Sequence, residues 1–234
     1  KIRLTIPAKK HRHFNSLAQD GWKLKASTRL GVKAGKLVLD VYFEKPVPVL
    51  KSEGKVTGID IGYRKLIATS EGNLYGSKFS ELATKIQRKR QGSKGFKQAL
   101  TERDEYVNRT VKELDLSRTK AFVIEALSGL KSGRRFRKQF QAKFQRWTYP
   151  LLVQRLSLAS ERQGVLVQEV DPAYTSQTCS RCGSKDKNNR KGEAFTCISC
   201  GYESDADVNA SVNVLSRFRL PEHLDPVKLE PIKI

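Results

Sequence analysis

Residues 56–70, VTGIDIGYRKLIATS, decide how the rest of the chain folds. They place Val56, Gly58 and Ile61 around a single acid, Asp60, in a short apolar run. Such a run bounded by glycines predicts a buried strand. Because a buried carboxylate without a partner loses several kcal/mol of solvation, two roles follow for Asp60. It is either the ligand of a cation, with the glycines leaving room beside it, or the cap of a turn at the strand end.

The sequence continues this strand into a sheet. LIATS, a turn at EGN and LYGS, together residues 66–77, predict a hairpin of the same sheet. AFVIEAL at 121–127 predicts a second buried strand that carries one acid, Glu125, and VLVQEVDP at 165–172 predicts a third. Residues 79–114 are polar and helical, interrupted by QRKRQGSKG. Strands that alternate with helices predict an α/β protein.

Aromatic and leucine residues keep helical spacing from Phe140 to Leu156, which predicts a long helix with a kink at Pro150. This spacing favours packing in the core over stacking on bases.

Residues 1–50 predict a separate small β domain. Two alternating stretches, around 24–30 and 37–43, flank a turn at KAGK and predict a hairpin with one core face and one polar, partly cationic face. The proline-containing segment EKPVPVLKSEG, residues 44–54, is the expected linker.

The charge of the chain indicates its class of partner. Lys and Arg number 45 against 24 Asp and Glu, a net charge of +21 over 234 residues, which favours nucleic acid over an anionic membrane surface. No apolar stretch is long enough to cross a bilayer and no signal-peptide pattern opens the chain. Because it starts at Lys1 and contains no Met, we expect a fragment of something larger.

Two basic clusters are the candidate nucleic-acid-binding residues. The first follows the predicted helix end in QRKRQGSKG, and the second opens the long helix. Their members are Arg88, Lys89, Arg90, Lys94 and Lys97, and Arg134, Arg135, Arg137, Lys138 and Lys143.

All four cysteines lie in two C-x-x-C pairs that are each followed by glycine. This pattern predicts a zinc ribbon whose four thiolates close the coordination sphere, so the zinc would be structural. Two disulfides are the alternative, which the absence of a secretion signal disfavours. The ligands are Cys179, Cys182, Cys197 and Cys200.

The sequence YESDADVNASVNVLSRF follows the ribbon and predicts a helix. Asp205 or Asp207 can cap its start, and one of the two can instead present a carboxylate to a metal. Asp60, Glu125 and this third acid suggest an RNase H-like sheet. In that fold the acids meet and bind two Mg²⁺ about 3.5–4 Å apart for phosphodiester hydrolysis.

Several motifs occur together in one order: GIDIGYRKLIATSEG, FVIEAL, WTYPLL, VDPAYTSQTCSRCG, CISCGY and DADVNASVNVL. Over residues 50–216 the chain resembles the RuvC nuclease domain of TnpB-type transposon proteins and of the similar type V CRISPR effectors. The resemblance implies Asp60, Glu125 and Asp207 as the metal-binding catalytic acids, with Asp205 as the less favoured neighbour of Asp207. It also implies RNA-guided cleavage of DNA.

The resemblance also implies the domain plan. Residues 1–50 would end a wedge domain that grips guide RNA, 51–174 would form the first part of the RuvC-like domain, and 175–204 the zinc ribbon. Residues 205–220 would supply the last helix and 221–234 a tail.

The implied partners are guide RNA and target DNA in the prokaryotic cytoplasm, associated with the nucleoid, with no membrane and with a homodimer left undetermined. The alternatives are a silent RNA-guided DNA binder, a guide-free structure-selective nuclease, and a zinc-ribbon module that only binds nucleic acid.

Overall fold

The structure is a computed structural model that describes residues 12–46, 48–127 and 148–219. The chain divides into two compact units, Lys1–Val47 and Pro48–Ile234. The elements are α1 (Arg12–Gln19), β1 (Lys23–Lys33), β2 (Lys36–Glu44), β3 (Lys55–Asp60), β4 (Ile67–Thr69), β5 (Leu74–Tyr75), α2 (Phe79–Gln87), α3 (Lys94–Lys112), β6 (Thr119–Glu125), α4 (Tyr149–Glu161), β7 (Leu166–Val170), a 3₁₀ turn (Lys187–Asn189), β8 (Arg190–Lys191), β9 (Ala194–Thr196), β10 (Glu203–Asp205) and α5 (Ala206–Leu215).

The first unit contains the predicted antiparallel hairpin, in which Leu30 pairs with Leu39 and Val32 with Leu37. Alternation therefore places these four side chains on one face, as expected. The prediction that this face is a core is wrong, because the four side chains are 48–70% exposed. Within the described residues of this unit, β1 and β2 contain no buried residue.

The second unit is built on a five-stranded mixed sheet in the order β5-β4-β3-β6-β7. Strands β3, β6 and β7 run parallel, and β4 and β5 form the predicted antiparallel hairpin beside β3. The strands expected around 56–61, 66–77, 121–127 and 165–172 are therefore confirmed, as is the mixed α/β class.

Helices cover both faces of this sheet. Ile59 and Ile124 pack into a core with Phe79 of α2, Val107 of α3 and Leu152 of α4.

Gly58, next to Ile59 on β3, faces α5 on the other side, since successive strand residues point to opposite faces. A Cβ on Gly58 would lie 2.1 Å from the backbone oxygen of Ser211. This glycine therefore makes room for a helix, where the sequence suggested room for a metal or phosphate.

Two helix boundaries differ from the sequence prediction. The interruption after α2 is shorter than expected, since Ser93 caps α3 by accepting a hydrogen bond from Phe96 N at 3.1 Å. Lys94 and Lys97, predicted in the loop, consequently lie in the first turn of α3.

Pro150 lies in the first turn of α4 instead of kinking the helix, because its missing N–H leaves no bond unmade there. Residues 128–147, which hold most of the predicted long helix and the second basic cluster, lie outside the described residues.

Across the described ranges, every helix is too short or too polar to traverse a lipid bilayer.

Candidate active site and metal centre

Asp60 and Glu125 are the last residues of β3 and β6. The two strands are parallel neighbours with Ile59 opposite Ile124, so the acids that follow are also adjacent. Adjacent strands lie about 4.8 Å apart. Both carboxylates are largely buried, with 9% of Asp60 and 8% of Glu125 exposed. The sheet thus brings the first two predicted acids together at one edge.

Asp207 reaches the same edge from the first turn of α5, and it is 6% exposed. Helix α5 approaches β3 closely at Gly58, and this approach determines where Asp207 lies. A Cβ built on Gly62, just after Asp60, would lie 3.6 Å from Asp207 Oδ2. The third predicted acid is therefore beside the loop that follows the first.

Asp205 has the capping role that the sequence left open between the two acids. Its Oδ1 accepts hydrogen bonds from Asp207 N at 2.9 Å and Val208 N at 3.3 Å, and its Oδ2 lies 2.5 Å from Lys65 Nζ. Burial opposes the charge of Asp205, but these bonds outweigh it and hold its pKa below the usual value. Both carboxylate oxygens of Asp205 thus have partners within the chain.

The ionisation of Asp60 is opposed by its burial and by two neighbouring acids. Burial raises the pKa of Asp60 well above its usual value, and the charges of Glu125 and Asp207 raise it further, while Arg190 opposes them. Burial also raises the pKa of Glu125, against a hydrogen bond from Thr175. Repelling carboxylates in a buried site fit a hard divalent cation, which prefers oxygen ligands.

Arg190 is a site residue that the sequence reasoning missed. It begins β8, in the insert between the cysteine pairs, and its Nη2 lies 2.6 Å from Asp207 Oδ1. Its signal was weak, since it is one of four cations in a polar insert and no spacing rule separates it from the others. A groove of about 350 Å³ opens here, lined by Asp60, Ile61, Gly62, Tyr63, Arg64, Arg190, Gly192, Glu193 and Asp207.

Glu125 is held at both its backbone and its side chain. The Tyr149 hydroxyl of α4 donates to the backbone oxygen of Glu125 and accepts from Leu127 N at 3.3 Å. The Thr175 hydroxyl donates to Glu125 Oε1. Thr175 precedes the first cysteine pair, so the segment entering the ribbon also touches the acid.

The four cysteines form one cluster, in which all Sγ atoms lie within 4.8 Å of one another. Cys179 Sγ is 3.8 Å from Cys200 Sγ, and Cys182 Sγ is 3.6 Å from Cys197 Sγ. These distances are far from the roughly 2.05 Å of a disulfide and close to the roughly 3.8 Å edge of a tetrahedron with metal–sulfur bonds of about 2.3 Å. The cluster therefore fits a tetrahedral metal ion.

The glycines after each cysteine pair form tight turns. Gly183 and Gly201 have φ of 75° and 70°, a region that favours glycine. Each donates its N–H to the carbonyl of the first cysteine of its pair at 2.9 Å.

The cysteine ribbon is joined to the helix that carries Asp207. Asn209 of α5 accepts from Ser180 N at 2.9 Å and donates to Thr178 O at 2.8 Å. Cys179, Phe195, Cys197 and Ala206 share one buried cluster. The four-cysteine cluster and the start of α5 consequently form one packed body.

The first basic cluster surrounds the turn between α2 and α3, and all its members are exposed. Lys85 nearby is engaged with Glu102, with Nζ and Oε2 2.5 Å apart. The cluster members are Arg88, Lys89, Arg90, Lys94 and Lys97. The second cluster, Arg134 to Lys143, lies outside the described residues.

These features define an α/β protein with a carboxylate site at a sheet edge and an attached four-cysteine cluster that fits a metal ion. Residues 149–214 match the family model of the TNB domain of Cas12f1-like proteins. The CRISPR-associated endodeoxyribonuclease Cas12f1 of Sulfoacidibacillus thermotolerans is 44% identical over 90 residues, which cover 38% of this chain and 20% of that protein. The protein MJ0856.1 of Methanocaldococcus jannaschii is 35% identical over 77 residues, covering 30% of this chain and 71% of that protein. The chain belongs to the family of Cas12f1-like and TnpB-like proteins.

A solved structure shares the fold. The cryo-EM structure of a Cas12f1–sgRNA–target DNA complex contains a chain that matches with a TM-score of 0.51 and 18% identity, over 80% of this chain and 55% of that one. The sequence matches span about a fifth of the length of the first two curated relatives.

Proposed function

We propose that this chain forms the nuclease part of an RNA-guided DNA endonuclease with an RNase H-like, RuvC-type fold. The observation that supports the proposal is the electrostatic effect of Glu125 and Asp207 on the buried carboxylate of Asp60. Glu125 ends the parallel strand next to the one that Asp60 ends. Clustered carboxylates repel one another unless a cation joins them. Family membership supports the same three residues as the catalytic acids.

The donor set fits magnesium, because it consists of carboxylate oxygens and Mg²⁺ prefers them. Two bound Mg²⁺ ions would supply Lewis acidity and an activated water for phosphodiester hydrolysis. Asp60, Glu125 and Asp207 would hold the ions, and Arg190 would donate hydrogen bonds to the charged phosphate oxygens. The guanidinium is suited to this because its fork of donors matches phosphate geometry.

The four-cysteine centre would hold a structural zinc ion. Its four thiolates leave no open position for substrate or water, which is typical of a structural site. We propose that it keeps the segments carrying Thr175, Arg190 and Asp207 in one arrangement, since Thr175 and Asp207 flank the cysteines in sequence and Arg190 lies between the two pairs.

Guide RNA and target DNA are the proposed partners. A relative is named an endodeoxyribonuclease, and a solved neighbour of the same fold was captured with a guide RNA and target DNA. The net charge of +21 supports binding to a polyanion. The wedge role of residues 1–50, the division at 51–174, 175–204, 205–220 and 221–234, and a cytoplasmic, nucleoid-associated location remain predictions.

The decisive experiment measures cleavage of guide-matched and unmatched DNA by the full-length protein with its guide RNA. We expect cleavage of matched DNA only, and only with Mg²⁺. Binding of guide and target without cleavage would favour the silent binder. Cleavage without a guide would favour the structure-selective nuclease.

A further inference from the structure

We propose that Thr175 is a positioning residue for Glu125, and that α5 sets the position of Thr175. The inference rests on the proposed function, in which Glu125 is a metal ligand. It adds a residue that touches neither metal nor substrate but fixes the direction in which the carboxylate points. The observation behind it is the hydrogen bond from the Thr175 hydroxyl to Glu125 Oε1.

Thr175 is suited to this task by its own rigidity. A β-branched side chain is stiff at χ1, and this one is buried, with 3% exposed. Its single hydroxyl proton has two acceptors within reach, Pro172 O at 3.1 Å and the closer Glu125 Oε1. The bond to the carboxylate is charge-assisted and so the stronger of the two. One oxygen of Glu125 is thereby engaged, and the other is left for the site.

A row of side chains on α5 holds the segment that carries Thr175. Asn213 Nδ2 donates to Thr175 O at 2.9 Å and to Thr178 O at 2.7 Å. Arg217, two residues past the end of α5, donates to Ala173 O at 2.6 Å. Asn209 bonds the same segment nearer the cysteines, and because Asn209 and Asn213 are four positions apart they share one face of the helix.

Helix α5 therefore controls two acids at once. It carries Asp207 in its first turn, and through Asn213 and Thr175 it also sets the side chain of Glu125. Since groups that orient metal ligands typically change metal affinity or activity by 10–100-fold when they are removed, the effect should be measurable.

The test compares Thr175→Val, which keeps the shape and loses the hydroxyl, with Thr175→Ser, which keeps the hydroxyl. Thr110→Val is the matched control, because Thr110 is equally buried in α3 and its hydroxyl bonds only the carbonyl of Tyr106, at 3.1 Å. Each variant is assayed in the full-length protein with guide RNA for kcat, DNA affinity and the Mg²⁺ concentration that gives half-maximal cleavage. Each is also titrated with Mn²⁺, without DNA, by calorimetry on the zinc-loaded protein.

We expect Thr175→Val to weaken Mn²⁺ binding and to lower kcat by about tenfold or more, with DNA affinity unchanged. The Mn²⁺ affinity and kcat of Thr175→Ser should stay within a few-fold of the parent values. Thr110→Val should match the parent in both. Parental Mn²⁺ affinity in Thr175→Val, or equal damage in Thr175→Ser, would overturn the inference. If the parent binds Mn²⁺ but does not cut, the proposed function fails while the Mn²⁺ titration still decides the role of Thr175.

Discussion

Arg190 Nη2 lies 2.6 Å from Asp207 Oδ1, so a cation from the insert between the cysteine pairs is bonded to an acid of the sheet edge. Only 8% of the Asp207 side chain is exposed, against 31% of that of Arg190. The acid is thus buried, while its cationic partner reaches toward the groove. Arg190 therefore lines the same groove as Asp60 and Asp207.

We predict that Arg190→Ala lowers the cleavage rate by about a hundredfold, the typical loss when a preorganised donor to a developing anion is removed. Arg190→Lys should restore only part of the rate, because an ammonium keeps the charge but lacks the fork. Lys191→Ala is the control, since Lys191 follows Arg190 on the same short strand and its side chain points to the other side. Single-turnover cleavage at saturating DNA is the measurement. Equal rates for Arg190→Ala and Lys191→Ala would refute the role.

Replacement of any one of the three acids by alanine should abolish cutting. Nucleic-acid binding should persist, because the exposed basic residues supply affinity. Asp205→Ala should be milder, although it removes a cap worth about 1 kcal/mol and the partner of Lys65. Cleavage and binding are measured side by side for each variant. Parental cutting by Asp60→Ala or Asp207→Ala would show that the active site is misassigned.

The parts of the site that the sequence predicted are those with a local anomaly. A carboxylate inside an apolar strand, as at Asp60 and Glu125, has no use in a core. The spacing of the cysteines, likewise, has few explanations. Both patterns can be recognised in the sequence alone, without knowing which segments are in contact in the fold.

Arg190 and Thr175 could not be predicted because their roles arise only where distant segments approach. Arg190 looks like any cation in a polar loop, and Thr175 like any turn threonine. The prediction that one face of the β1–β2 hairpin is a core was wrong for a related reason. Alternation told which residues share a face, such as Leu30 and Leu39, but not whether anything covers that face.

We predict that Asp60→Asn stabilises the zinc-loaded protein in the absence of Mg²⁺. The folded-state pKa of Asp60 is raised, so its charged form opposes folding at neutral pH. The parent should therefore gain stability as pH falls through that raised pKa, and the variant should show less of this gain. Thermal unfolding at pH 7 should show a Tm higher by about 2–4 °C for each kcal/mol relieved.

The difference in Tm between parent and Asp60→Asn should shrink toward pH 4, where Asp60 is protonated. Asp20→Asn, at an exposed position in the first unit, is a control that should not shift Tm in this way. A lower Tm for Asp60→Asn at pH 7 would contradict the prediction.

Binding to nucleic acid should depend steeply on salt. If the two basic clusters make six to ten phosphate contacts, affinity should fall by about a thousandfold or more between 50 and 200 mM salt. Replacing Arg88, Lys89 and Arg90 with Gln should reduce the slope of log K against log salt by about 0.9 for each lost duplex phosphate contact. Fluorescence anisotropy at a series of salt concentrations measures it. A slope near zero would rule out phosphate contacts as the main source of affinity.

Removal of zinc should unfold the ribbon and also weaken the site at the sheet edge. A structural metal site and its fold form together, so residues 175–205 should lose protection from hydrogen exchange when zinc is removed or when Cys197 is replaced by Ser. The effect should extend to α5, because Asn209 bonds to Ser180 N and Thr178 O, and Ala206 is buried with Cys179. Mn²⁺ affinity and cleavage should therefore fall with zinc content, and both should return when zinc is restored to the parent protein. If the protein without zinc keeps the ribbon protected from exchange, the zinc is not structural. If the ribbon loses protection but the protein retains parental Mn²⁺ affinity, the two sites are independent.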